Sequence, residues 1–180
     1  MSIITKNRLN AVTEVKLGFS EYNRSINEVK NQSKYSATAT VFLSHNHSDA
    51  PLIDKVLVLL RRSGVTVYMD RTDSGMAPTT GAATATRIKA KIKEHKKFVL
   101  VATDNAIQSK WCNWELGYGD AQKFDQHIAL LPLAENSGTW TGTEYLRIYP
   151  RIEETYNGSD VYNVIFPDNR AVSLAAWLRS

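Results

Sequence analysis

The stretch Ser109-Lys110-Trp111-Cys112-Asn113-Trp114-Glu115-Leu116-Gly117-Tyr118 gathers the residue types of this 180-residue chain that are best able to do chemistry. On a helix, Trp111 and Glu115 are four apart and share a face, as do Trp114 and Tyr118. A carboxylate beside an indole offers a stacking platform for a flat ring and a negative charge close to it. The same residues admit a plain structural reading, in which one tryptophan fills core and Glu115 is a solvated helix residue.

A second cluster, Ser44-His45-Asn46-His47-Ser48-Asp49, is a run of hydrogen-bonding side chains. It could hold a ribose or phosphate, or simply cap a following helix. His45 and His47 stand two apart with no cysteine or carboxylate motif beside them, which is weak evidence for zinc, and no metal is expected. Cys112 has His95 and His127 elsewhere in the chain, but a lone helical cysteine is more often a small packed residue than a nucleophile. There is no Gly-x-Ser-x-Gly elbow, no His-Glu-x-x-His pair and no glycine-rich phosphate cradle. A nucleotide ligand would therefore need side chains from several loops.

The elements that must position these groups alternate between strand-like and helix-like patterns, the mark of βαβ units and a parallel sheet. Strands are expected at Thr40 to Leu43, Val65 to Met69, Lys97 to Thr103 and Ile128 to Leu133, the last broken by Pro132. Helices are expected from Asp49 to Arg62, capped by Ser48 or Asp49 and closed by Gly64, from Thr84 to His95, and from Ser109 as cap to about Phe124. Between Asp70 and about Thr80 lies a long loop. Tyr145 to Ile152 reads as a final edge strand and Ala171 to Leu178 as a closing helix. In such an open doubly wound sheet, ligands bind beyond the carboxyl ends of the strands, so function belongs to the loops after Leu43, Asp70 and Thr103. Residues 1–36 read as a polar, weakly helical N-terminal appendage, ending in a short linker, and residues 37–180 as the main domain.

Composition bounds the function. The chain is 43% hydrophobic and 22% charged, ordinary for a globular domain. Its 22 Lys plus Arg against 18 Asp plus Glu give +4 and a pI near 9.1, which tolerates an anionic ligand. The one dense basic cluster, Lys89, Lys91, Lys93, Lys96 and Lys97, reads as a solvated helix face, so no nucleic-acid partner is expected. A single cysteine, no apolar leader and no membrane-length apolar run make the cytoplasm the expected address.

Val41-Phe42-Leu43-Ser44-His45 with Asp49, then Val65 to Asp70, Ile88 to Thr103, and Ser109-Lys110-Trp111-Cys112-x-x-Glu115-Leu116 together resemble the Toll/interleukin-1 receptor (TIR) domain family over about Thr40 to Leu133. Gly117-Tyr118 and Glu144-Tyr145-Leu146-Arg147-Ile148-Tyr149-Pro150 look like a group of stand-alone bacterial members, including those resembling the signalling subunit of Thoeris antiphage systems. The resemblance implies a flavodoxin-like sheet with helices on both faces. It also implies cleavage of NAD+ at the nicotinamide-ribose bond, with NAD+ as substrate and no cofactor. Glu115 aligns with the family's catalytic glutamate and Trp111 with the aromatic four residues before it. Ser44, His45, Asn46, His47, Asp70 and Arg71 would line the substrate cleft. Two departures stand out: Asp73-Ser74-Gly75-Met76-Ala77-Pro78 replaces the common proline-glycine pattern, and His95 stands where many members have serine.

The leading expectation is thus an NAD+ glycohydrolase or cyclase that self-associates through TIR contacts and signals to a separate nucleotide-sensing effector. The main rival is a non-catalytic TIR adaptor, and a third reading is a nucleotide-binding or base-transferring enzyme on a similar fold.

Overall fold

A computed structural model describes residues 2–11, 40–70, 81–135, 140, 142 and 144–180. Its sheet is built from β1 (Ile4–Thr5), β2 (Thr40–Ser44), β3 (Thr66–Tyr68), β4 (Lys97–Ala102), β5 (Ile128–Ala134), β6 (Arg151–Glu154), β7 (Tyr162–Ile165) and β8 (Ala171–Ser173). The helices are α1 (residues 6–11), α2 (Ala50–Arg61), α3 (Ala82–Glu94), α4 (Asp104–Gln108), α5 (Lys110–Gln122) and α6 (Leu174–Arg179). Strand order is β3-β2-β4-β5-β6-β7-β8, parallel from β3 through β6 and antiparallel from there on. This is the expected doubly wound α/β sheet, extended at one side by a short antiparallel meander.

Period-two alternation sorts the core into two layers. Val41, Leu43, Val99, Val101, Ala129 and Leu131 face α2 and α6, where Ile53, Val56, Leu57, Leu60 and Trp177 cover them. Phe42, Phe98, Leu100, Ala102, Ile128 and Leu130 face the other way, under Ile88, Ile92, Cys112 and Leu116 of α3 and α5. Both faces of β4 and β5 are buried throughout, which explains their near-continuous apolar sequences. Gly119 lets α5 press on the sheet, since a Cβ there would lie 3.1 Å from the Phe98 ring.

Several sequence expectations need correction. Pro132 does not break its strand: it lies within β5 opposite Ala102, between the Leu130 pairing with β6 and the Leu133 pairing with β1, where the neighbouring strand changes. Tyr145 to Ile152 is not an edge strand. Residues Glu144–Ile148 form a 3-10 turn, and β6 begins after Pro150 with β7 and β8 beyond it. Helix α6 starts at Leu174 because Ala171–Ser173 is a strand, and the Ser173 side chain caps it by accepting from the Ala176 N–H.

The first described residues join the sheet and its core. β1 pairs with Leu133 and Ala134 of β5, Ser2 bridges to Glu154 of β6, and Ile4 and Leu9 are buried. Arg8 clamps the same region through hydrogen bonds to Glu154 at 2.9 Å and Asp160 at 2.5 Å. The expected boundary at residues 36 and 37, its linker, and the loop from Arg71 to Thr80 lie outside the described residues. Lys97 is not part of a solvated face. It is fully buried, its ammonium 4.7 Å from the Trp177 ring and hydrogen-bonded to Ser180 Oγ and His127 Nδ1. Among the described residues no helix is long and apolar enough to cross a membrane.

Candidate active site

The chain leaves β2 toward β3 on one side and returns to β4 on the other, so the loops after β2 and β4 part company above the sheet. A crevice at such a reversal is where ligands of doubly wound sheets bind. Here it is laced together by side chains. Asp49 accepts hydrogen bonds from Thr103 Oγ1 at 2.5 Å and Asn105 Nδ2 at 2.8 Å, while Asn46 Nδ2 donates to the Asn105 carbonyl at 3.1 Å. Of the two residues expected to cap α2, Ser48 or Asp49, Asp49 holds the N-cap position but its side chain makes no cap bond; Asn46 caps the preceding 3-10 turn by accepting from the Ser48 N–H.

Helix α5 begins where Ser109 accepts from the Cys112 N–H, and it carries Glu115 to the carboxyl end of β2. There Ser44 Oγ, on the last residue of β2, donates to Glu115 Oε2 at 2.5 Å. Glu115 is only 3% exposed, which overturns the solvated-residue reading. Burial pushes its carboxyl up to about 8; the bond from Ser44 opposes this, the negative charge of Asp70 adds to it, and a hydrogen bond from the Trp111 side chain opposes it again. An arriving cation would favour the charged form.

Trp111 packs on Trp114 at 4.9 Å between centroids with the rings tilted by 30°, and Trp114 stacks on Tyr118 at 6.1 Å, giving α5 a partly buried aromatic ladder. Lys89 of α3 lies over Trp114 and Tyr118 at 5.8 and 5.4 Å. Cys112 is buried and its thiol is pushed up to about 11, chiefly by desolvation, so it packs and does not attack. The substituted His95 is buried too, its Nδ1 2.7 Å from the Lys91 carbonyl and its ring against Tyr68; burial holds it below the usual histidine range.

A TIR domain family model matches residues 41–155, spanning β2 through the strand after Pro150. The chain belongs to the TIR domain family. Over 116 residues it is 30% identical to the "Probable 3' cyclic ADP-D-ribose synthase ThsB'" of Bacillus cereus (strain MSX-D12), an alignment covering 62% of this chain and 59% of that protein. Over 95 residues it is 32% identical to the "Putative cyclic ADP-D-ribose synthase TIR2" of Cytobacillus dafuensis, covering 51% of this chain and 24% of that protein. The chain thus spans little more than half of the first relative and a quarter of the second. Among solved structures, the TIR domain of the Toll-related receptor TRR-2 from Hydra magnipapillata matches with a TM-score of 0.44 at 14% identity, over 62% of this chain and 82% of that one.

Of the residues expected to line the TIR cleft, Ser44, Trp111 and Glu115 form one connected group. His45, His47 and Asp70 form a second beside it: His47 Nε2 lies 3.0 Å from Asp70 Oδ2, and His45 Nε2 lies 3.9 Å from Asp70 Oδ1. Asn46 points across the crevice to Asn105 instead. Arg71 falls outside the described residues. The sequence reading missed Thr103 and Asn105. Their only signal was position, directly after a fully buried strand whose carboxyl end must border the crevice.

Proposed function

We propose that this TIR domain cleaves NAD+ at the nicotinamide-ribose bond, yielding ADP-ribose or a cyclic or conjugated ADP-ribose signal. The observation that carries the reading is a nearly buried carboxyl, Glu115, held by Ser44 at the carboxyl end of the sheet beside a half-buried tryptophan. The names of the two bacterial relatives, both cyclic ADP-ribose synthases, support it.

Departure of nicotinamide builds oxocarbenium character on the ribose carbon as the carbon-nitrogen bond breaks and the ring takes its electron pair away; water then bonds to that carbon and loses a proton to give ADP-ribose, or a nucleophile of the same or another molecule does so to give a cyclic or conjugated product. The Glu115 carboxylate stabilises that positive charge and accepts hydrogen bonds from ribose hydroxyls, in a site dry enough for the effect to be large. The nicotinamide ring of NAD+ is itself cationic, so its entry favours the ionised carboxylate that burial disfavours. Trp111 supplies a flat face for a base or the nicotinamide ring and keeps water out. The loop after β2, carrying His45, Asn46 and His47, borders the ribose and phosphates, with Asp70 beside it. The lone Cys112 suits a cytoplasmic setting, and the product serves a separate nucleotide-sensing effector in an antiphage response. Contacts between copies of the TIR domain complete the active assembly.

Concentrated protein incubated with NAD+ should release nicotinamide, and Glu115→Gln should not. The mass of the ribose-bearing product separates hydrolysis from cyclisation and conjugation. Release by the Glu115→Gln variant at the wild-type rate would move the chemistry elsewhere. No release by the wild type, with or without a crowding agent, would favour an adaptor that works through TIR contacts alone.

A further inference from the structure

Two histidines and an aspartate from separate loops converge beside the Ser44-Glu115 pair. His45 and His47 follow β2 and Asp70 follows β3; these strands are adjacent and parallel, so both loops leave the same end of the sheet. One ligand atom from each of the three residues falls within 4.8 Å of the others. Imidazole nitrogens and a carboxylate oxygen bound to one tetrahedral ion at about 2.0–2.2 Å stand about 3.4 Å apart. The observed separations, 3.0 Å from His47 Nε2 to Asp70 Oδ2 and 3.9 Å from His45 Nε2 to Asp70 Oδ1, lie on either side of that value, one at each carboxylate oxygen.

The rings are also oriented for it. The His45 side chain is 1% exposed and its Nδ1 lies 3.1 Å from the Leu43 carbonyl, an acceptor that fixes the proton on Nδ1. The lone pair then sits on Nε2, the nitrogen turned toward Asp70. A backbone carbonyl behind a ligating imidazole is the usual way a metal-binding histidine is held. His47 is 66% exposed and Asp70 15%, which leaves the cluster open to solvent on one side.

We propose that His45, His47 and Asp70 bind a divalent ion of the zinc class, with at least one coordination position left for an outside ligand. Two imidazoles and one carboxylate suit zinc, cobalt or nickel better than magnesium or calcium, which prefer all-oxygen shells. Because Ser44 and His45 are consecutive, the ion would lie next to the candidate active site, and an anionic oxygen such as that of a phosphate is the group its open position would take. The site rests on these side chains alone and does not depend on cleavage of NAD+.

Titration of chelator-treated protein with Co(II), in the absence of any nucleotide, tests this. A visible absorption band that saturates at one ion per chain and is displaced by Zn(II) is expected. His47→Ala, which removes an exposed ring and leaves the fold untouched by circular dichroism, should weaken binding at least about tenfold, as should Asp70→Asn. His127→Ala, at the opposite end of the sheet, should bind as the wild type does. Absence of the band up to millimolar Co(II), or His47→Ala and Asp70→Asn proteins that titrate like wild type, would overturn the assignment. Failure of NAD+ turnover would leave it intact.

Discussion

Ser44 Oγ and Glu115 Oε2, 71 residues apart in the chain, meet at 2.5 Å and tie the last residue of β2 to the middle of α5. The hydroxyl can donate, and a carboxylate gains more from that bond than a carboxylic acid does. Ser44→Ala should therefore lower kcat/KM roughly ten- to hundredfold at pH 7, the equivalent of about 1.5–3 kcal/mol for a hydrogen bond to a charged group. It should also move the acidic limb of the pH profile upward. A rate loss with no movement of that limb would assign Ser44 a role other than favouring the carboxylate.

The raised carboxyl of Glu115 makes folding pH-dependent. Its folded value of about 8 lies above the unfolded value of about 4.5, so the folded state holds the extra proton between them. The stabilisation is complete below the unfolded value and is lost as pH rises through about 8. Thermal melts from pH 5 to 9 should show the wild type losing stability over that window, and Glu115→Gln, with no proton to lose, staying nearly flat. Parallel curves would mean that Glu115 is ionised when the protein is empty.

Activity should run the other way. Since kcat/KM reports the free enzyme, it should climb with pH toward a plateau above about 8. The limb in kcat should sit at lower pH, because the cationic nicotinamide of bound NAD+ favours the carboxylate. Initial-rate measurements across pH 5 to 9, at limiting and saturating NAD+, give both limbs; a flat kcat/KM would count against a carboxylate that must ionise first.

If Trp111 stacks on the substrate as proposed, Trp111→Ala should raise KM and lower kcat together. The loss of packing on Trp114 should cost stability as well, on the order of 1–3 kcal/mol for a half-buried aromatic. An unchanged KM would remove the stacking role.

Asp49→Ala should destabilise the fold by about 2–3 kcal/mol, since it strips a buried hydrogen bond from Thr103 and a partly buried one from Asn105. For a domain of this size that is a fall of very roughly 5–10 °C in Tm. Combined with Asn105→Ala, the effects should add to less than their sum, which calorimetry of the single and double variants would read.

The central strands were legible because β4 and β5 are long, apolar on both faces and punctuated by turns, and Ser109 was legible as a cap from its place before a helical run. Short elements were not. A two-residue strand such as β1 has no period to read, and β7 is a four-residue strand in a region dense with turn residues. Its one clue, overlooked, was Val161 to Phe166 followed by Pro167-Asp168-Asn169, a β-prone run closed by a turn in which Asn169 takes a positive φ of 65°. At the site, residue types named Glu115 but not its burial, because α5 mixes glycines, aromatics and polar groups without a clear apolar stripe. The pairing of Asp49 with Thr103, 54 residues away, left no local trace at all.

The seating of β1 sets an order on folding. Ile4 pairs with Leu133 and Ser2 bridges to Glu154, so these residues meet partners that follow them by about 130 to 150 positions in the chain. Contacts of such sequence separation form late and slowly. Until then the splayed ends of β5 and β6 present open backbone to any extended segment that passes, and a chaperone or a second nascent copy has time to reach them before the proper strand does.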